Sequence, residues 1–363
     1  MKLIFCHIGS PLPPHLLENL VRTAKIFPNI PIHLIKSHEY EITREYQQIP
    51  RLEIFEYDIT DSHRALFEQS TLDTKFRRGF WRATLERLIA ISEHVISQLE
   101  GPFLHVESDV LLMKSFPFKD LQLIKNPTWG FYNEFRDVAS LLYIPSSDSA
   151  QWLLHKIKKE LVLNPNHTDM TILKAISNSN RDIVRYFPMG LPFIQNSYSK
   201  SSESEREDIF SRTININGLF DSAAIGMWLT GLDPRNNYGL VKYFDMSFIN
   251  NGDSLVDPSK LKLHFENEFE SYFDSQGVKL QIHCLHIHSK NIAIFKQGDI
   301  RKMKFMRYFK HGASSKSKFQ STVFFSLLKD SIKNRELVRF VAFAPGFRTV
   351  TKNILRCKKI LLG

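Results

Sequence analysis

Two acids stand where a core strand should have none. In FLHVESDVLLM, residues 103–113, Phe103, Leu104, Val106, Val110, Leu111 and Leu112 read as a strand buried on both faces, yet Glu107, Ser108 and Asp109 interrupt it. Buried carboxylates are costly unless they are paired or bind a cation. Far downstream, IHCLHIHSKN (282–291) gathers His283, His286 and His288, with Lys290 beside them. Carboxylates and imidazoles drawn from distant parts of a chain can make a divalent-cation site. A cation next to a lysine is what a diphosphate requires, since both charges serve the same phosphate oxygens. Each element also has a plainer reading. The acids can cap or pair structurally, and the histidines can be ordinary core or surface residues.

The elements that must position these residues follow from periodicity. KLIFCHI (2–8) reads as a strand and PPHLLENLVRTAKIF (13–27) as a helix with proline in its first turn. IHLIKS (32–37) and LEIFEYD (52–58) read as strands. A long helix is expected over residues 78–99, where Trp81, Leu85, Leu88, Ile89, Ser92, Val95, Ile96 and Leu99 share one face. Gly101-Pro102 ends it and feeds the strand at Phe103. A further strand (139–144) and helix follow. This alternation predicts an α/β fold with a mainly parallel, Rossmann-like sheet flanked by helices. Ligands of such sheets sit at the carboxyl ends of the strands, which is where Glu107 and Asp109 fall. His7 ends the first strand at the same edge. The polar stretch SYSKSSESERED (197–208) reads as a mobile loop or lid, or as a disordered insertion.

In their order along the chain, these motifs resemble the glycosyltransferases of the GT-A fold. There a DxD-type motif ends a sheet strand and holds Mn²⁺ against the diphosphate of a nucleotide sugar. Glu107-Ser108-Asp109 stands as that motif, with Glu in place of the first Asp. TLER (84–87) is similar to the T-x-x-R element of the glycogenin-like branch, which makes Arg87 a donor contact. Arg87 shares a secondary stripe with Phe80, Thr84 and Ile91 and so faces protein, where a snorkelling arginine is the plain alternative. HTDMTILKA (167–175) is similar to the family's N-D-Q-D-I-L segment, whose Asp holds the donor sugar. Asp169 takes that place, with Met170 where the family has Gln.

HIHSK is similar to the family's C-terminal H-x-x-G-x-x-K element, at shorter spacing. The resemblance implies a histidine on the metal, taken as His288 over His286, and Lys290 on the phosphates. On strand alternation both histidines would face the same side. FDSAAIGMWLTGLDPRN (220–236), HIHSK and the W-x-x-T-L-E-R helix together resemble a bacterial subgroup that builds capsular, exopolysaccharide or lipopolysaccharide glycans. The implied site has Glu107, Asp109 and His288 on Mn²⁺ or Mg²⁺, with His7, Arg87, Ser108 and Lys290 on the donor. Asp169 and Asp221 are the carboxylates for the reacting sugars; Asp221 can equally be the N-cap of the helix AAIGMWL.

Composition sets the remaining bounds. Hydrophobic residues are 43% and aromatics 12% of 363 residues, enough for a large core. No apolar run approaches the roughly 18 residues of a membrane span, and the apolar stretch after Met1 is too short for a signal peptide. Cys6, Cys284 and Cys357 are scattered and odd in number, which predicts a reducing, cytoplasmic setting. From Lys310 to Gly363 there are 12 Lys and Arg against 2 Asp and Glu, which is the whole net charge of +10; the remainder carries 36 of each sign. A neutral body argues against nucleic acid as a partner.

A catalytic domain over residues 1–300 and a basic amphipathic tail over 301–363 are expected. In the tail Phe347, Val350, Ile354, Leu355, Leu361 and Leu362 recur at helical spacing among Arg348, Lys352, Arg356, Lys358 and Lys359. Such a tail suits the anionic cytoplasmic face of the inner membrane, where lipid-linked glycan acceptors are found. Packing of these helices on the catalytic domain or a second subunit is the plain alternative. Two other functions remain open: a metal-dependent hydrolase or nucleotidyltransferase, and a non-catalytic membrane-surface binding protein.

Overall fold

A computed structural model describes residues 1–98, 101–189, 203–230, 262–267, 270–275, 278–288, 290 and 292. The expected tail and the boundary at residue 300 lie outside the described residues. Strands are β1 (Lys2–His7), β2 (Ile32–Ser37), β3 (Leu52–Tyr57), β4 (Phe103–Val106), β5 (Val110–Leu112), β6 (Thr128–Asn133), β7 (Arg136–Ile144), β8 (Arg185–Tyr186), β9 (Leu219–Phe220), β10 (Lys262–Asn267), β11 (Glu270–Ser275) and β12 (Val278–His286). Helices are α1 (Pro14–Ile26), α2 (Arg44–Gln47), α3 (Asp61–Leu66), α4 (Phe80–Gln98), α5 (Phe118–Leu121), α6 (Ser147–Leu163), α7 (Asp169–Ser179), α8 (Glu203–Ser211) and α9 (Ala224–Thr230).

The main sheet has the order β3-β2-β1-β4-β7-β6-β8. Its first four strands are parallel, β7 alone runs against its neighbours β4 and β6, and β8 is parallel to β6. This is the mainly parallel α/β arrangement that strand–helix alternation predicts. Parallel strands buried on both faces carry unbroken apolar runs, and Leu3 to Cys6, Ile32 to Ser37 and Phe103 to Val106 are all buried. On α4, Leu85, Leu88, Ile89, Val95 and their neighbours are buried as the 3.6-residue period requires. The polar stretch at 197–208 falls partly on α8; its first residues lie outside the described set.

The expected single strand at 103–113 is two. β4 belongs to the main sheet, whereas β5 joins a second sheet of order β10-β11-β12-β5, with β9 beside β12. Glu107, Ser108 and Asp109 are the crossing between the sheets. A turn closed by Val110 N–H on the Glu107 carbonyl (3.0 Å) breaks the ladder. The acids are therefore at the carboxyl edge of one sheet and the entrance to the other.

The far side of the main sheet is tied by a buried polar knot. One Asp137 oxygen accepts from the Trp129 indole N–H (2.9 Å), the Ser177 hydroxyl (2.7 Å) and the Tyr186 hydroxyl (3.2 Å). Lys174 approaches the other at 3.6 Å. The Arg212 guanidinium lies 4.4 Å over the Tyr186 ring and donates to the Ser177 carbonyl (3.0 Å). The knot fixes α7 on the β6–β7 hairpin and with it the orientation of Asp169 at the helix start. Asp137→Ala strands three donors and a lysine in the core, and should cost about 3–5 kcal/mol, the range for breaking one side of a buried pair. Urea denaturation of the variant checks this; a loss under about 1 kcal/mol would mean that the knot is dispensable.

Candidate functional site

The Glu107–Asp109 crossing is pinned from three directions. Glu107 N–H bonds to the Ser140 carbonyl of β7 (3.0 Å), and the Asp109 carbonyl accepts Ile287 N–H just past β12 (2.7 Å). From α1, the Asn19 amide donates to the carbonyls of Ser108 (3.1 Å) and Val110 (2.8 Å). Asn19 is fully buried in a stripe with Leu16, Leu20, Thr23 and Ala24. The Ser108 hydroxyl contacts His15 Nε2 at 3.1 Å. Neither α1 residue was foreseen as part of the site. The signal for Asn19 was legible, because an amide in an apolar helical stripe must find buried partners.

Cations from other elements meet these acids. Arg87, on α4, reaches Glu107 at 2.5 Å and Asp169 at 3.2 Å with one nitrogen. It is not a snorkelling edge arginine. The Lys290 ammonium contacts Asp109 Oδ2 directly. His286 Nε2 lies 3.1 Å from the same oxygen and 3.5 Å from Glu107. Burial pushes against ionisation of both acids, but Lys290 and His286 hold Asp109 well below the usual carboxylate range, and Arg87 and His286 lower Glu107. For His286 burial favours the neutral ring, yet Asp109 and Glu107 outweigh it and raise the pKa to about 9. Asp169 goes the other way: burial raises it, Arg87 offsets part of the rise, and the Glu107 charge adds to it.

Glu107, Asp109 and His286 each offer a ligand atom, and these atoms lie within 4.8 Å of one another. Ligands on one small divalent ion stand at most about 4–4.6 Å apart, twice the bond length, so small rotations complete the set. The His286 Nδ1–H donates to the Ser222 carbonyl (2.5 Å), so in the neutral ring the Nε2 lone pair is the one turned to a cation. These residues fit a divalent cation.

His288, expected as the ligand, is not in this group. Alternation would have aimed both histidines the same way, but the strand ends at His286. His288 N–H then bonds back to the His286 carbonyl (2.9 Å) and Lys290 N–H to the Ile287 carbonyl (2.8 Å). This tight turn ends the period-two pattern and leaves the His288 ring centroid 5.5 Å from that of His286. His283 is elsewhere too, with Nε2 on the Asn217 carbonyl at 2.7 Å.

Of the two readings open for Asp221, the geometry gives the cap. Oδ1 accepts Ile225 N–H (2.9 Å), and Oδ2 accepts the N–H groups of Gly226 (2.7 Å) and His286 (3.1 Å). Both oxygens are occupied by backbone amides, and the residue is buried. Asp221 caps α9 and clamps it to the end of β12. At Gly226 a β-carbon would run into the His286 carbonyl, so only glycine lets the helix come this close. His7 ends β1 with its ring Nε2 against the Ser10 hydroxyl (2.9 Å) and Pro11 carbonyl (3.1 Å). Asp169 is the first residue of α7, behind a Thr168–Thr171 capping box.

No protein-family model matches the sequence, and no curated protein matches it. Among solved structures the chain is similar to the galactosyltransferase LgtC in complex with donor and acceptor sugar analogues, at 15% identity and a TM-score of 0.38, over 60% of this chain and 84% of that one. It is also similar to the glycosyltransferase GlyE of Streptococcus pneumoniae TIGR4, at 15% identity and a TM-score of 0.33, over 51% of this chain and 45% of that one. The PaToxG glycosyltransferase is 11% identical with a TM-score of 0.30, over 57% of this chain and 83% of that one.

The clamp yields a test. Asp221→Ala removes the acceptor of three backbone N–H groups, one of them that of His286, and should weaken Mn²⁺ binding about 10–100-fold, the usual effect of losing a group that orients a ligand. Calorimetric titration with Mn²⁺ in the presence of UDP reads this. Unchanged affinity would separate Asp221 from the cluster.

Proposed function

We propose that the protein is a metal-dependent glycosyltransferase that moves a sugar from a nucleotide donor, read as UDP-linked, to a bacterial surface-glycan acceptor. One observation carries the reading: two acids and an imidazole converge at the carboxyl edge of a mainly parallel sheet, with Lys290 and Arg87 against the same acids. A divalent ion held there, Mn²⁺ or Mg²⁺, would neutralise the charge that grows on a leaving nucleoside diphosphate.

The chain's own groups divide the remaining work. Asp221, Ser222 and Asn19 hold the ligand frame. Arg87 pairs with Glu107 and Asp169, favours the charged form of each and fixes their spacing. Asp169 binds hydroxyls of the donor sugar. Lys290 faces the phosphates. His7 and Ser108 line the donor edge of β1 and the acid crossing. His288, outside the ligand group, is free of a metal role in this reading.

A two-metal hydrolase or nucleotidyltransferase is less well supported. Two ions about 3.5–4 Å apart need more carboxylates, and among the described residues the ligand group is one cluster of two acids and one histidine. The test is a nucleotide-sugar panel read by released nucleoside diphosphate, with and without glycan acceptors. Asp109→Ala should lower metal-dependent turnover by at least about 100-fold. Asp169→Asn should lower transfer far more than UDP affinity. Near-normal turnover in Asp109→Ala at limiting metal would sink the metal assignment, and hydrolysis of donors that never depends on an acceptor would sink transfer.

Residues 301–363 are proposed to hold the enzyme on an anionic membrane. No helix among the described residues is long and apolar enough to cross one, so attachment through the tail would be peripheral. Flotation on anionic vesicles should be strong for the full chain at low salt and lost at high salt. Equal flotation of a chain ending near Lys310 would remove the tail from this role.

A further inference from the structure

Of the charged groups that meet at the crossing, Arg87, His286 and Asp109 are fixed. Arg87 is held between Glu107 and Asp169. His286 is held by the Ser222 carbonyl at one ring nitrogen and by Asp221 at its backbone. Asp109 is pinned through its own carbonyl to Ile287, and its side chain is only 3% exposed. Lys290 differs. Its side chain is 23% exposed, and a flexible four-carbon stem carries the charge. Its backbone sits at φ +62°, in the left-handed region. A lysine gains nothing from that conformation on its own. Here it turns the chain back after β12, so that the stem lies over the crossing and the ammonium rests on Asp109.

The oxygen that receives the ammonium is Asp109 Oδ2, which also faces His286 Nε2. A divalent ion using Asp109 and His286 as ligands needs that same place. We infer that Lys290 is a tethered cation which occupies the ion's position in the free protein and leaves it only for a diphosphate. The site then takes a metal–diphosphate complex as one ligand rather than a free ion. This rests on reading the cluster as a metal–diphosphate site.

The physical reason is the balance of charge around one carboxylate. A free ion must displace the ammonium from Asp109, which leaves two like charges side by side with no new anion to separate them. An ion that arrives with a diphosphate brings oxygens for the ammonium to move to, so one charge-assisted bond replaces another. Metal and nucleotide therefore raise each other's affinity, and by linkage the factor is the same in both directions.

The test uses the full-length wild type, Lys290→Met and Lys290→Gln. Mn²⁺ alone is titrated by loss of the free-ion EPR signal, and Mn²⁺ with UDP by calorimetry. In the wild type, UDP should tighten Mn²⁺ binding by at least about tenfold, the worth of one charge-assisted bond. In both variants Mn²⁺ alone should bind more tightly than in the wild type, while UDP should bind more weakly. The coupling factor should fall, with the remainder carried by the ion's own bonds to the diphosphate. A purely structural lysine would weaken both ligands together. A purely phosphate-binding lysine would leave the affinity for Mn²⁺ alone unchanged. Either outcome, in a wild type that binds the Mn²⁺–UDP pair, overturns the tethered-cation role and leaves the site reading intact. A wild type that binds neither ligand overturns both. Thermal melts of the three proteins show which variant is folded for comparison.

Discussion

Two carboxylates cannot stay ionised at the end of a buried strand without cations, and the surroundings of Glu107 and Asp109 answer that requirement. Each acid would cost several kcal/mol if left unpaired in the interior. The compensating charges are not local. Arg87 comes from the helix before β4, while His286 and Lys290 come from the far end of the described chain, 177 and 181 residues from Asp109. Folding of the main sheet, the second sheet and α4 is thereby tied to one electrostatic centre. The proposed chemistry falls at that same centre.

The second sheet matters because it delivers His286. β5 continues the chain beyond the acids and pairs antiparallel with β12, with His286 opposite Val110. A shift of one residue in that pairing would turn the other face of β12 to the acids. Register is held by the Asp109–Ile287 backbone bond on one side and by the Asp221 clamp on the other. The close seating of α9, which requires Gly226, completes the clamp. Precision at the site thus comes from backbone bonds around it more than from the ligands themselves.

Much of this was legible in the order of residues. Periodicity located α1, α4, β1, β2 and β3, and the start of β4, within a residue or two, because apolar residues recur there over long stretches; β7 begins three residues before the expected 139, and β6 and β8 had no expectation at all. The acid pair announced itself by being costly. Other features had no local signature. Extending strand alternation from His286 to His288 failed because a tight turn follows His286, and nothing in HIHSK marks where pairing stops. The division of 103–113 between two sheets depends on partners elsewhere in the chain. Asp221 could be read as a helix cap or as a catalytic acid, and only the direction of three backbone amides decides between them. Asp137, the second residue of β7, gave no hint of its four partners, since a lone buried acid reads the same whether it binds, reacts or ties a core.

The central claim is that Glu107, Asp109 and His286 together hold one divalent ion. It is tested most directly by an anomalous difference map, recorded near the manganese edge, from crystals of the full chain grown with Mn²⁺ and UDP. A single peak within bonding distance of the Glu107 and Asp109 carboxylates and His286 Nε2, with Lys290 turned to the phosphates, is the expected result. A peak bonded to His288 in place of His286, or no peak at the acid pair at full UDP occupancy, would contradict it.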